Sequence, residues 1–488
     1  MLTGVMRIVL AAVTLFIAAA AQAAAIGYEG ARHLLNRTGF GATDAEVSAY
    51  ASLDRAAAVD RILQGARREA ATPPPAFIDE PFDRFYRVGN LPADERMAVQ
   101  RTLLQRSFEL RAWWLGEMVA TPSPLTERMT LFWHNHFATS QQKVRSLQLM
   151  YRQNALLRRE ALGNFATLLR GIAKDPAMLV YLDNAGNRRQ APNENFAREV
   201  MELFTLGEGH YTEHDIKEAA RAFTGWSLDR ESGDFTYRRM WHDYGEKTVF
   251  GRTARMDGDD VIDLLLARAE TAQFIVAKVW REFVSPTPQP AEVTRWAGVL
   301  RDARYEMKPL LRAVLMSEAF WSDAHRGALV KSPVELVAGT LRTFEIHPAD
   351  LRPAVFACAA LGQNLFSPPN VKGWPGGEAW IDSSTLLARQ QFIDRVFRGS
   401  DPMATTVAMR TPAPVQGQGG AAVRRMLERG MADYVFDADR FGGALGAKSG
   451  ARLQSLVLAY PPVGAMPEQA PVGDRVRALV ADAAYQLK

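Results

Sequence analysis

Strict alternation of β-branched and polar residues is scarce along this chain, whereas helix-start signals recur. That asymmetry restricts the fold class to mainly α. Thr43-Asp44-Ala45-Glu46 sets a hydroxyl at an N-cap with a carboxylate three residues on, a pattern that satisfies two orphan amides reciprocally. Thr212 to Asp215 repeats it with aspartate, and Ser332-Pro333-Val334-Glu335 adds proline at the first helical position. Helical period and propensity mark residues 96–120, 125–137, 147–173, 193–206, 213–224, 259–284, 291–302, 307–320, 333–345 and 351–362. One hairpin is expected, Asp234 to Arg239 returning as Lys247 to Gly251 through a turn around Tyr244-Gly245. The expected architecture is a multi-helix orthogonal bundle with a small β-hairpin and long loops rich in Pro, Gly and Trp.

Residues 1–25 read as a signal peptide rather than part of the fold. Arg7 supplies a positive start, Ile8 to Ala20 is apolar but for Thr14, and Ala21-Gln22-Ala23 has the small-x-small pattern of a cleavage site, with Ala23-Ala24-Ala25 as a second register. The apolar run is shorter than the roughly 20 residues that span a bilayer. The expectation is therefore an exported protein, periplasmic or secreted, with no transmembrane helix in the mature chain. The body should run over 26–400, with two lobes divided near the proline-rich 285–290. Thr411 to Gly420 lies in a linker over 401–420, and 421–488 reads as a helical tail.

Composition removes several functions. With 48% hydrophobic and 23% charged residues the chain is an ordinary globular one, not a disordered one. A net charge of +4 spread along the chain does not argue for nucleic acid. The single cysteine, Cys358, rules out an intrachain disulfide and Cys-rich metal sites, and its apolar surroundings suit an inert core thiol. No P-loop, GxGxxG, GxSxG, HExxH or CxxCH motif occurs.

Four segments can carry chemistry. In Trp133-His134-Asn135-His136-Phe137 two histidines stand two apart, so on a helix they point roughly 200° away from each other. Shared metal binding by His134 and His136, with a divalent ion, needs an extended backbone; separate packing roles are the alternative. Asn195, Arg198, Glu199 and Glu202 form one polar stripe, either a solvated face or a buried network lining a cleft, and its paired carboxylates suit acid–base work. His210 and His214 are set aside as a metal pair, because Thr212 caps a new helix between them. His242, Asp243 and Lys247 share a turn that either displays them for function or uses them to hold itself. Pro369 to Trp374 belongs to a stiff loop in which Lys372 could hold an anionic group. Trp374 there either stacks a ligand such as a glycan or plugs the core.

Together these segments resemble a bacterial exported family known only as domain of unknown function 1800. The resemblance rests on His33 to Gly41, Phe132 to Phe137, Asn193 to Gly207, Tyr211 to Trp226, His242-Asp243 with Gly245 and Lys247, Lys331-Ser332-Pro333, and Pro369 to Trp374. It covers roughly 28–395. It implies a mainly helical exported protein and an exported partner with an alkaline-phosphatase-like fold, but no activity and hence no catalytic residue.

The residues themselves support two readings. In the first, the chain is a hydrolase-like enzyme acting on an envelope or extracellular polymer. Glu199, Glu202, His242 and Asp243 are catalytic, and Asn195, Arg198, Lys247, Lys372 and Trp374 bind substrate. In the second, it is a non-catalytic binding or assembly protein of the envelope whose polar clusters lock the helices together.

Overall fold

The computed structural model describes residues 24–82, 92–397, 431, 434, 436–446, 449–467 and 469–488. Residues 1–23 of the leader expected over 1–25, and the whole 401–420 linker, lie outside the described residues. The chain is mainly α, with two short two-stranded sheets among the described residues.

The N-terminal helices are α1 (Gly27–Thr38), α2 (Asp44–Ala51), α3 (Arg55–Gln64), α4 (Ala93–Ala120) and α5 (Pro124–His136). Next come α6 (Gln141–Val144), α7 (Leu147–Arg159), α8 (Phe165–Ala173), α9 (Pro176–Tyr181), α10 (Glu194–Glu199) and α11 (Glu213–Ala222). The middle is built from α12 (Gly258–Ala267), α13 (Ala269–Phe283), α14 (Pro290–Asp302), α15 (Met307–Met316), α16 (Glu318–Trp321), α17 (Pro333–Thr343) and α18 (Arg352–Ala360). α19 (Ser383–Phe397), α20 (Ala438–Leu445), α21 (Ser449–Val457) and α22 (Val472–Ala481) follow. All three anticipated capping boxes form, at Thr43–Glu46, Thr212–Asp215 and Ser332–Glu335. Three of the expected helices are broken, 307–320 among them, which divides at the extended residue Ser317. Residues 147–173 divide where Asn164 caps a fresh helix by accepting from Thr167 N, and 259–284 divide at the extended residue Arg268.

The expected hairpin is corrected. Strands β1 (Trp226–Leu228) and β2 (Phe235–Tyr237) pair antiparallel, and β3 (Lys247–Val249) pairs with β4 (Arg252–Ala254). The segments read as partners do become strands, but each finds a nearer partner across a shorter turn. Local closure costs less chain entropy.

The described residues form two hydrophobic cores. One gathers α3, α8 and α10 to α16, with Trp280 and Trp296 at its centre. The other gathers α4, α17 to α19 and the C-terminal helices, so that Phe441, Leu453 and Val476 pack with Trp114 and Leu341. The connector 285–290 joins α13 and α14, which belong to the same core. Helix α5 is a wall common to both: Trp133 and Phe137 reach the first core and Leu131 the second. Cys358 is buried in the second, and burial pushes its thiol far up, so it is inert.

Helix α9 is started by a buried carboxyl. Asp175 Oδ1 accepts from Met178 N at 2.9 Å and from Gln153 Nε2 at 2.7 Å. Burial outweighs these bonds and pushes Asp175 up to about 7. The unfolded chain ionises near pH 4, so between about pH 4 and 7 the folded state holds a proton that the unfolded state has lost. The contribution is full below that range and declines as pH rises through 7. Asp175→Asn keeps the cap and should flatten this decline. The variant should gain up to about 4 kcal/mol over wild type at pH 8, measured by urea unfolding across pH.

Candidate functional site

The polar stripe on α10 occupies a helix that changes type beneath it. Asn193 caps the start by accepting from Asn195 N at 2.9 Å. Residues Val200–Thr205 then form a π-helix, whose wider turn releases backbone carbonyls from the ordinary ladder. Two side chains collect them. Lys278 Nζ donates to Leu203 O at 3.3 Å, and His136 Nε2 donates to Phe204 O at 3.2 Å. Lys278 Nζ also donates to His136 Nδ1 at 2.9 Å, which leaves the proton on Nε2. Burial and Arg281 push Lys278 down to about 8, while burial and Lys278 hold His136 well below the usual imidazole range. His136 is thus a neutral strut of the π-turn.

Glu199 and Glu202 straddle the junction. Tyr211 Oη donates to Glu202. Glu199 is half-buried and, among the described residues, takes part in no hydrogen bond or ion pair. Burial raises its carboxyl above the usual range, Glu202 raises it further, and Arg198 and Lys372 pull it back. Lys372 stands largely in solvent, with Glu208 at 3.4 Å. These groups therefore form one solvent-reaching neighbourhood: a carboxylate pair with a phenol and an ammonium beside it.

The placement of Lys372 follows from a contact between two motifs. Trp374 N donates to Asn135 Oδ1 at 2.7 Å. Gly373 lies at φ +82°, and a Cβ there would come within 2.5 Å of Asn135 O. Only glycine allows the loop to lie on the end of α5 in this way. Asn135 was passed over between its two histidine neighbours. A lone amide beside a helix end, together with a glycine in a proline-rich loop, was the signal available.

The remaining expected site residues are corrected by their surroundings. Arg198 does not orient the carboxylate pair; it turns to α11 and makes a bidentate pair with Glu213, both bonds at 2.7 Å. Asn195 Nδ2 donates to Leu182 O at 3.2 Å and so pins α10 to the end of α9. His134 and His136 cannot share a metal, because α5 stays helical and sends them to opposite cores. His134 packs against Trp114, Phe366 and Trp374, and burial alone pushes it down to about 3. Among the described residues no group of three His, Cys, Asp or Glu side chains could hold a metal ion. Trp374 is 4% exposed and packs on His134, so it plugs the core and offers no stacking wall.

The hairpin cluster is a separate lock at the other end of α11. His242 is buried, with Nδ1 2.9 Å from Thr224 O. Arg221 holds Asp243 (2.8 Å) and Glu218 (2.8 Å), and Asp243 sits below the usual carboxylate range despite its burial. Lys247 is 1% exposed and donates to Asp243 O at 2.5 Å and Gly245 O at 3.0 Å, leaving no free face for an anion. His242, Asp243 and Lys247 thus hold the turn together and do not join Glu199. His214 is exposed in the first turn of α11, as its place after the Thr212 cap requires.

A family model described as "Protein of unknown function (DUF1800)" matches residues 33–483, past residue 395 where the motif resemblance stops and into the C-terminal helices. No curated protein and no solved structure matches this chain.

Proposed function

We propose that this chain, which belongs to the DUF1800 family, is an exported hydrolase-like enzyme acting on an envelope or extracellular polymer, with Glu199 and Glu202 as its acid–base pair. The observation that carries the reading is Glu199: a half-buried carboxyl without a partner among the described residues, raised in pKa, beside a second carboxylate held by Tyr211. Most polar clusters in this fold are internally satisfied, so an unspent acid at a solvent-reaching junction stands apart. Export is supported by the Arg7, Ile8–Ala20 and Ala21–Ala23 pattern.

In the proposed reaction, protonated Glu199 gives its proton to the leaving oxygen of the scissile bond as that bond breaks. The Glu202 carboxylate takes a proton from the attacking water, whose hydroxyl adds to the electrophilic centre. Return of that proton to Glu199 restores the pair. Lys372 would bind an anionic substituent of the polymer. Glu199→Gln and Glu202→Gln should each lower turnover of envelope polysaccharide substrates by about 10²-fold or more without lowering the melting temperature. The alkaline limb of the pH profile should show activity falling as pH rises through the elevated Glu199 pKa. Unchanged turnover in both variants would remove the enzymatic reading.

A second reading, an envelope binding or assembly protein working with an exported partner, is favoured by the outside of the hairpin lock. There Met240 is 80% exposed and Tyr244 58%. Met240→Asp would then abolish recovery of that partner in a pull-down and leave the carboxylate pair irrelevant.

A further inference from the structure

Under α1 the protein buries more positive charge than it neutralises. Arg37, wholly buried, is held by carbonyls at the end of α13, its Nη1 donating to Phe283 O and Val284 O at 2.9 Å each while its Nε finds no partner among the described residues. Arg389 donates to Gln486 Oε1 and Lys331 O, both at 2.9 Å. Arg128 and Lys488 converge on Glu335, whose other oxygen accepts from Ser332 N at 2.8 Å, so that carboxylate is spent. Two cations remain. Arg32 is 4% exposed and donates no hydrogen bond among the described residues; its nearest acid is Glu29 on the exposed rim. Lys331 is half-buried, points its ammonium over the Tyr485 ring at 3.8 Å and has no side-chain hydrogen-bond acceptor or ion-pair partner among the described residues. Burial, reinforced by Arg32, Arg389 and Lys488, pushes Lys331 down to about 7.

A cavity lies against these groups. Asn36, Lys331, Glu335, Thr343, Tyr485 and Lys488 are among the residues that line it, the Glu335 carboxylate being already held by Arg128 and Lys488. Arg32 is one turn before Asn36 on the same face of α1, so its charge bears on the same space. The cavity volume is about 20 Å³, room for a single water-sized occupant and too small for a phosphate group or a sugar. We propose that it is a binding site for a small inorganic anion of chloride size, held by Lys331 and the Asn36 amide under the charge of Arg32. A water molecule would satisfy the hydrogen bonds but leave the charge standing; an anion does both. The bound ion would clasp α1 to α17 and to the C-terminal segment, far from the carboxylate pair, and it stands whether or not that pair is catalytic.

The test is thermal unfolding of the full chain in sodium chloride against sodium gluconate at constant ionic strength. The melting temperature should rise with chloride and not with gluconate, by about 1–2 °C per tenfold chloride above the binding midpoint. Lys331→Met should lose this dependence while the exposed control Lys308→Met keeps it. Because Lys331→Met removes a half-buried charge and could also disturb folding, Asn36→Ala provides a second reading: it should move the chloride midpoint up at least about threefold. Equal melting in the two salts, or wild-type chloride dependence in both site variants, would overturn the proposal. So would a stronger response to phosphate than to chloride.

Discussion

Replacing Glu127 with alanine should destabilise the protein by about 3–5 kcal/mol. Glu127 is 1% exposed and accepts from Arg158 Nε at 2.5 Å, Arg158 Nη2 at 2.9 Å and Trp114 Nε1 at 3.0 Å. Arg158, 2% exposed, keeps only Asn154 Oδ1 at 2.8 Å when the carboxylate goes. The cost is chiefly that of a guanidinium stranded away from water, not of the lost attraction. Glu127→Ala combined with Arg158→Met should therefore be milder than Glu127→Ala alone, because the stranded charge leaves with its partner. Chemical denaturation of the single and double variants measures this. A single-variant loss below about 1 kcal/mol would show that the pair is better hydrated than its burial indicates.

Gly373→Ala should cost about 2–4 kcal/mol, and its effect should reach the carboxylate pair. The new methyl would have to displace Asn135, whose carbonyl lies within 2.5 Å of it, at a φ of +82° that alanine disfavours. Relief requires the loop to lift from the end of α5, carrying Lys372 away from Glu199. Lys372 helps to hold that carboxyl down, so its departure should raise the Glu199 pKa further. Lys372→Met is the comparison: it should raise the same pKa without a comparable loss of stability. Titration of the Glu199 carboxyl by NMR, alongside melting, distinguishes a lifted loop from a merely weakened one.

Much of the fold was legible because its signals are local. Capping boxes at Thr43, Thr212 and Ser332 depend on residues three apart, and all of them form. The spacing of His134 and His136 showed that joint metal binding needs an extended backbone, but only the fold, in which α5 stays helical through His136, decides against it. What escaped the sequence depends on distant partners. The strands at Phe235 and Lys247 were found, but their pairing was not, because short alternating segments do not name their neighbours. The stripe at Asn195–Glu202 was recognised as polar, yet only the fold separates its members. Arg198 is drawn off by Glu213, Asn195 by Leu182, and Glu199 is left free. The π-turn had no sequence signal of its own, since it is stabilised by Lys278 and His136 from other helices.

That turn makes the spacing between residues 199 and 206 matter as much as their identity. The wider turn absorbs one residue more than an α-turn does, so removing Met201 would restore ordinary winding and leave the chain beyond it nearly in phase, while Glu202 itself moved around the axis. Tyr211 and Glu202 would part company although both were still present. A lineage could thus silence such a centre through a single codon deletion, with every acid and phenol intact.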